Sequence, residues 1–192
     1  MFTWLCGGSW TSMGFTACTD LEPTLYSNLT TANAYTSESD IDAALVGIYA
    51  DLNPYPGDAW MYYAGYMVMT TDYTTDMGYS TAAGDPTKLS NMTYDANNRY
   101  FKYNWQCMYQ VISNANVLLQ NIDNISMDET KKKQVIAQAK FLRALAYRDL
   151  TDGWGPVPLI TELIDPSTAK NMPLTSVEDV NNFMIADLKE CI

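Results

Sequence analysis

The stretch VIAQAKFLRALAYRDLTDGWGPVPLITE, residues 135–162, decides the fold of this 192-residue chain. Its first half repeats apolar residues at the period of one helix face, and that face consists of Val135, Ala139, Leu142, Ala146 and Leu150. The alanines on it allow a neighbouring backbone to approach closely. The helix is then ended by a run of turn-forming residues: Gly153, Gly155, Pro156 and Pro158. The stretch therefore predicts a long, packed helix followed by a sharp turn.

Other segments share this helical period. The first follows the N-cap sequence SESD at residues 37–40, ends before Pro54, and places its apolar stripe on Ile41, Ala44, Leu45, Ile48 and Leu52. The second runs from about Tyr103 to Ile122, with a packing seam at Trp105, Met108, Ile112, Ala115, Leu119 and Ile122.

Residues 126–129 and 175–178 resemble capping boxes that begin the third and fourth helices. The fourth helix has its apolar side on Val177, Val180, Met184 and Leu188. These patterns predict an all-α fold.

Between the first two helices, residues 53–104 have no long periodic run and are rich in Gly, Thr, Ser, Asn, Asp, Tyr and Trp. We predict a long irregular insertion with one short helix near residues 61–71. Residues 55–109 hold thirteen of the chain's twenty-four aromatic residues. Because loops of this length inside a compact domain are usually functional or mobile, this segment is the first place to look for a ligand site.

The charge distribution restricts the possible partners. The net charge is −11, and residues 1–87 carry ten carboxylates and no Lys or Arg. A chain with this balance has nothing to neutralise a run of phosphates, which excludes nucleic acid as a partner. The front half would also repel anionic lipids and anionic ligands, so its partners are expected to be neutral or cationic.

The residue inventory argues against an enzyme. The chain has no histidine, which excludes Ser-His-Asp and Cys-His catalysis and all His-ligated metal sites. Its four cysteines are too scattered for a disulfide framework or a zinc site, and Cys107 and Cys191 fall in helical patterns as small buried residues. A carboxylate pair such as Asp72 and Asp76 would suffice for glycoside hydrolysis, but nothing positions one as acid and the other as nucleophile, and the spacing matches no EF-hand loop. We expect no catalysis, no cofactor and no metal.

Residues 1–18 contain no charged residue and end in Phe-Thr-Ala-Cys, which is typical of a lipobox. The segment is too short and too rich in Gly and Ser for a transmembrane helix. We interpret residues 1–18 as a signal segment with Cys18 as the lipidated residue, and residues 19–36 as an extended leader. The alternative is a disordered N-terminus with an incidental cysteine.

Three stretches together resemble the SusD/RagB family. Cys18 is followed by acidic residues and then by SESDIDAALVGIYADL. The second helix reads W-x3-Y-x2-I-x3-N from Trp105 to Asn116. Residues 135–162 closely resemble the helix and "WG-VPL-T" segment of the family. The resemblance covers nearly all of residues 18–192 but only the N-terminal portion of the family, and residue 192 ends a helical pattern without a C-cap, so we expect residues 37–192 to be an incomplete helical domain.

The resemblance implies a fold of tetratricopeptide-like helix pairs with a long irregular, aromatic-rich insertion. It implies a nutrient-binding lipoprotein, most simply a glycan binder, on the surface of a Gram-negative bacterium. Such a protein sits as a lid on a SusC-like TonB-dependent transporter in the outer membrane and contacts the membrane only through its lipid anchor. The alternative is a tetratricopeptide-like scaffold that binds a protein, because a fold alone does not determine a function.

Within the aromatic-rich segment, loop context and polar neighbours select a candidate ligand site. Its members are Trp60, Tyr73 and Tyr79 as exposed rings, with Asp76, Asn98 and Arg99 as polar partners. Sugar rings pack a flat C–H face against aromatic rings, while amide, carboxylate and guanidinium groups bind the hydroxyls. A glycan binder should expose such rings, whereas a scaffold should bury them. We expect other aromatics of the segment to pack against the helices, namely Tyr66, Tyr103, Trp105 and Tyr109.

Overall fold

The structure is a computed structural model that describes residues 35–53 and 62–192. The signal segment, Cys18, most of the leader and Trp60 lie outside these ranges. The described α-helices are α1 (Glu38–Asp51), α2 (Tyr66–Asp72), α3 (Asp85–Ser90), α4 (Arg99–Asn121), α5 (Glu129–Trp154), α6 (Pro166–Ala169) and α7 (Val177–Lys189). Two short 3₁₀ helices, Tyr62–Ala64 and Ile122–Asn124, precede α2 and follow α4. Between described residues, extended pairing is confined to one antiparallel bridge from Val157 to Thr175, so the all-α prediction is confirmed.

The core lies where α4 packs against α5, with α1 against both, α2 against α4 and α7 against α5. The predicted face of α5 is buried at all five positions. Each fully buried aliphatic side chain of this kind stabilises the fold by about 1.5–3 kcal/mol. Helix pairing therefore follows from the apolar stripes that the sequence displays.

The helix caps differ in register from the prediction. In α1 the Asp40 carboxylate accepts a hydrogen bond from the Ser37 backbone N–H at 2.8 Å, as the SESD sequence predicts. In α5 the capping box at residues 126–129 is wrong, because the N-cap is Asp128, whose carboxylate accepts from Lys131 N at 2.9 Å. In α7 the cap is Ser176, one residue later than the predicted box. When several capping residues follow one another, the backbone geometry at the helix entrance selects among them.

Three other predictions need correction. Helix α4 begins at Arg99 and not at Tyr103, because the Asn98 side chain accepts from Tyr100 N at 3.1 Å and caps the helix one turn earlier. Helix α3 interrupts the insertion where no helix was predicted. On α7 the predicted face is buried at Val180 and Met184, but its last position is wrong: Leu188 is exposed, and the buried residue at that end is Asp187.

Candidate functional site

A cavity of about 400 Å³ lies where α2, the first turns of α4 and the last turn of α5 meet. Its volume is within the range of small-molecule sites. Its walls combine aromatic rings with hydroxyl, amide and carboxylate groups, and the lining residues are Met67, Thr70, Thr71, Thr74, Tyr94, Phe101, Asn104, Asp149, Asp152, Gly153 and Trp154. This mixture of ring faces and hydrogen-bonding groups is the composition that a polyhydroxylated ligand requires.

Two aromatic walls face this cavity. Tyr94 packs edge-on against Phe101 at 5.2 Å between ring centroids, and Tyr94 is 39% exposed. On the other side, Trp154 packs at 5.4 Å against Trp105, again nearly perpendicular. Edge-to-face packing holds such rings at low entropic cost. The walls are therefore firm surfaces on which a flat apolar face can stack.

The threonines of α2 contribute hydroxyl oxygens. Thr70 and Thr71 both donate to Met67 O at 3.0 Å, and Thr74 donates to Thr70 O at 2.7 Å. A threonine whose proton is given to the preceding helical turn keeps its oxygen lone pairs as acceptors. Thr70 Oγ1 already accepts from Asn104 Nδ2, so the acceptors that face the cavity come from Thr71 and Thr74.

Asn104 is a buried amide on the wall formed by α4. Its side chain is 1% exposed, and its Nδ2 donates to Thr70 Oγ1 at 3.0 Å. Its Oδ1 is buried without a hydrogen-bond partner among the described residues. Most buried polar atoms are paired, so this unpaired acceptor next to a cavity makes Asn104 a candidate ligand contact.

Asp149 ties the segment before α2 to α5. Its Oδ2 accepts hydrogen bonds from the hydroxyls of Tyr62 at 2.8 Å and Tyr63 at 2.6 Å, while its Oδ1 accepts from the Arg148 guanidinium. Burial, helped by the carboxylate, raises the pKa of Tyr63 to about 12, which keeps this phenol a donor at neutral pH. The carboxylate therefore positions the insertion against the end of α5 and forms part of the cavity wall.

The predicted ligand-binding residues that the structure describes lie outside this cavity. Tyr79 is 66% exposed and Asp76 is exposed, as predicted, whereas Tyr73 is half-buried beside the small cluster of Leu89 and Tyr100. Trp60 falls outside the described residues. Of the described members, none lines the cavity, so their ligand-binding role stays a prediction.

The two polar members next to α4 have structural contacts. Asn98 is 2% exposed and uses its amide to cap α4 and to donate to Asp85 O at 3.3 Å. The Arg99 guanidinium lies 4.0 Å from the Asp85 carboxylate and 5.1 Å from the centroid of the Tyr100 ring. The Asn98 side chain is thus occupied by the start of α4, and its role as a polar partner of a ligand stays a prediction.

Sequence reasoning missed the cavity residues, although one of them carries a signal. Asn104 occupies the α4 face that continues with the buried Met108 and Val111, so a polar residue stands at a core position. The turn at Trp154 was interpreted as purely structural. Trp154 does pack against Trp105, and Gly155 adopts a positive φ of 74°, but Gly153 and Trp154 also line the cavity.

A second cavity of about 430 Å³ lies beside Trp105 and Tyr109, whose rings are 5.0 Å apart. Both residues pack against the core, as predicted, and the Tyr109 hydroxyl donates to Pro158 O at 2.7 Å. Tyr103 is half-buried against the Leu89 cluster, and the Tyr66 side chain is not described. This second cavity is mostly apolar and offers few groups that could bind hydroxyls.

The described residues also bear on metal sites, membrane spans and reactive thiols. They hold no group of three or more His, Cys, Asp and Glu side chains placed to bind a metal ion. None of their helices has the length and apolar character needed to cross a membrane. Cys107 is a free, buried thiol whose pKa burial raises to about 11, so it behaves as a small apolar residue, as predicted, whereas Cys191 is half-buried.

Comparison with known proteins gives consistent matches. The SusD-like family model, described as starch-binding and associating with the outer membrane, matches residues 21–191. SusD-like protein P2 of Formosa agariphila is 28% identical over 173 residues, which are 90% of this chain and 34% of that protein. A laminarin-binding SusD-like protein of known structure superposes with a TM-score of 0.70 at 29% identity, over 82% of this chain and 34% of the other. A SusD-like carbohydrate-binding protein of Bacteroides fragilis gives 0.67 at 28%, over 82% and 31%. The chain thus spans about a third of the length of its relatives.

Proposed function

This chain belongs to the SusD-like family, and from that membership we propose that it binds a glycan in the cavity between α2, α4 and α5. The observation that carries the proposal is the composition of that cavity, in which aromatic rings face buried and exposed hydrogen-bonding groups. Such walls suit a sugar, because its C–H face stacks on the rings while its hydroxyls bind the polar groups. Relatives described as binding carbohydrate and laminarin support the same ligand class.

The role we propose is binding without catalysis. Both oxygens of Asp149 accept hydrogen bonds from Tyr62, Tyr63 and Arg148. A carboxylate engaged in this way is poorly placed to attack a sugar or to protonate a leaving group, so Asp152 lacks a partner for a two-carboxylate mechanism. This supports a binding protein over a glycosidase.

The alternative function is a tetratricopeptide-like scaffold for a protein partner. A scaffold should bury the aromatic rings of the insertion. Tyr62 and Tyr100 are buried, but Tyr79 and Tyr94 are exposed, and Tyr94 lines the cavity. The exposed rings support glycan binding over the scaffold.

We expect Tyr94→Ala and Phe101→Ala each to weaken binding of a neutral polysaccharide about tenfold or more, because each removes a stacking surface worth on the order of 1 kcal/mol or more. Gel retardation with a panel of neutral polysaccharides finds the ligand, and calorimetry gives the affinity. Tyr49→Ala and Phe141→Ala are controls for loss of a ring, since both rings lie outside the cavity and are about as exposed as Tyr94.

The same assay tests the residues predicted from the sequence, through Trp60→Ala, Tyr73→Ala and Tyr79→Ala. If these three reduce affinity while the cavity variants do not, the ligand binds on the insertion outside the cavity. If none of the five variants reduces the affinity of a bound polysaccharide, the site lies outside the aromatic-rich segment altogether.

We further propose that the protein is a surface lipoprotein of the outer membrane, anchored through Cys18, and that it acts with a SusC-like TonB-dependent transporter. The description of the matching family, which names association with the outer membrane, supports this location. A protein that captures glycan outside the cell needs a transporter beneath it to deliver the ligand. Copurification of the two proteins from detergent-solubilised outer membrane tests the partnership, and recovery of the lipoprotein without any barrel transporter would contradict it.

For the anchor, we expect Cys18→Ala to abolish incorporation of a fatty-acid analogue in metabolic labelling, because the thiol of Cys18 is the acceptor in the Phe-Thr-Ala-Cys sequence. A lipidated cysteine with several acyl chains anchors stably, whereas one chain binds only marginally. Cys6→Ala is the matched control and should label as the unmodified chain does. Equal labelling of the Cys18→Ala variant would mean that residue 18 is not the anchor.

A further inference from the structure

We infer that the cavity between α2, α4 and α5 discriminates by charge and by hydrogen-bond polarity: it accepts uncharged, hydroxyl-rich sugars and rejects sugars that carry carboxylate or sulfate. The inference rests on the proposed function and names the ligand class of that same site. Two independent observations carry it, the unpaired amide oxygen of Asn104 and the negative character of the wall formed by α5.

The orientation of the Asn104 amide follows from its neighbour. Thr70 donates its hydroxyl proton to Met67 O at 3.0 Å, and a carbonyl oxygen can only accept. The contact of 3.0 Å between Asn104 and Thr70 Oγ1 must therefore have the amide nitrogen as its donor. This leaves Oδ1 as the buried atom without a partner among the described residues. The group that completes it must be a donor, as a sugar hydroxyl is and a carboxylate or sulfate oxygen is not.

The wall formed by α5 is electrostatically negative. Asp149 and Asp152 both line the cavity, and its lining includes no Lys or Arg. Arg148 pairs with Asp149, whereas Asp152 forms no salt bridge with a described residue. Both carboxylates lie in the last turns of α5, where the helix dipole adds further negative potential. Arg148 offsets the charge of Asp149 and interacts electrostatically with Asp152. An anionic sugar entering this cavity would still meet the Asp152 carboxylate, with no Lys or Arg in the lining to bind it.

The decisive comparison uses two forms of the same polymer. Laminarin and xyloglucan are each titrated into the chain beside their carboxymethylated forms, by calorimetry at low ionic strength. We expect the carboxymethylated form to bind at least tenfold more weakly than its neutral parent. This difference in affinity should become smaller at high salt. Dissolved ions screen the interaction between exposed charges, and at 0.1 M ionic strength the screening length is about 10 Å.

The Asp152→Asn variant tests the source of the repulsion. It removes one charge from the cavity wall at nearly constant shape. We expect Asp152→Asn to reduce the difference in affinity between the neutral and the carboxymethylated polymer severalfold. The affinity for the neutral polymer should stay within about twofold of that of the unmodified chain. Glu178→Gln is the control, because Glu178 is exposed on α7 outside the cavity, and it should leave this difference in affinity unchanged.

The Asn104→Leu variant tests the unpaired acceptor. It removes the amide at similar size, so binding of the neutral polymer should fall at least tenfold while the melting temperature stays the same or rises, since a buried unpaired polar atom is lost. Asn114→Leu is the contrasting control on the same helix. Asn114 donates to the Asp51 carboxylate at 2.6 Å, so its loss should lower the melting temperature and leave binding unchanged.

The outcomes separate this inference from the proposed function. If neither these two polymers nor any other neutral polysaccharide of the gel-retardation panel binds, the proposed glycan binding is overturned and the inference with it. If a polymer binds equally well to the Tyr94→Ala/Phe101→Ala variant, the site is elsewhere and both fail. If binding needs these rings but the carboxymethylated form binds as well as its parent, or Asn104→Leu binds as the unmodified chain does, the glycan site stands and the inference is wrong.

Discussion

The Asp187→Ala substitution is expected to lower the free energy of unfolding by about 3–5 kcal/mol, because it leaves the Arg143 guanidinium buried without its counter-charge. The two side chains are only 7% and 6% exposed. They form two parallel hydrogen bonds, Nε to Oδ2 and Nη2 to Oδ1, both at 2.8 Å. This fork-to-fork geometry is the strongest arrangement available to an arginine and a carboxylate.

Arg143 also makes contacts with α4, with α7 and with the segment that follows α5. Its Nη1 donates to Asn116 Oδ1 on α4 at 2.6 Å and to Thr161 O at 3.4 Å. Its guanidinium lies 4.9 Å from the ring centroid of Phe183 on α7. Losing Asp187 therefore weakens the contact between α5 and α7 and disturbs the anchor of the segment after α5.

Urea unfolding followed by circular dichroism measures the effect of Asp187→Ala. Glu178→Ala, an exposed acid on the same helix, is the control and should change stability by about 1 kcal/mol or less. The double variant Arg143→Met/Asp187→Leu should recover most of the loss, since an apolar pair carries no buried charge. A single-variant loss below about 1 kcal/mol would mean that water solvates the Arg143 guanidinium.

The second large effect is expected for Leu142→Ala, at about 2–5 kcal/mol. Leu142 is 1% exposed, on the α5 face that forms the centre of the core. Truncation removes its apolar contacts and leaves a cavity that rigid helix neighbours fill only in part. The size of the loss reports how far α4 and α5 can relax towards each other.

Leu174→Ala is the matched control for Leu142→Ala, because Leu174 is 66% exposed. It should change the unfolding free energy by no more than about 0.5 kcal/mol, the range of ordinary surface substitutions. If both variants lose the same amount, or if Leu142→Ala loses less than about 1 kcal/mol, the core face of α5 has been assigned wrongly.

The helices could be predicted from the sequence because the spacing of apolar residues along an amphipathic helix shows which face is buried. The α5 face from Val135 to Leu150 is buried at every predicted position. The residues at which the helices begin were predicted less accurately. Asn98 and Asp128 cap α4 and α5 at positions not predicted, because neighbouring polar residues compete for the same backbone donors. The apolar pattern also failed to predict that Leu188 is exposed. Asp187 is buried in its place between α5 and α7, because it pairs with Arg143.

The candidate site was predictable only as a region. The aromatic-rich segment does contribute Tyr94, Phe101 and Asn104 to the cavity, but α5 supplies Asp149, Asp152 and Trp154 from outside it. Thr70 and Asn104 touch although they are 34 residues apart in the chain. Loop context, which selected Tyr79 and Asn98, carries no information on which side chains meet across helices.

The sequence by itself determined the all-α class, the apolar faces of the main helices and the lack of histidine, and its excess of carboxylates already disfavoured anionic partners. Only the tertiary structure decided that Arg143 pairs with Asp187, that Asp149 binds Tyr62 and Tyr63, and that Asn104 keeps an unpaired oxygen beside a cavity. The physical reason is the separation along the chain of the residues involved. Apolar periodicity is a property of consecutive residues, whereas a hydrogen bond requires two distant side chains to meet within about 3 Å, which depends on how the helices are aligned.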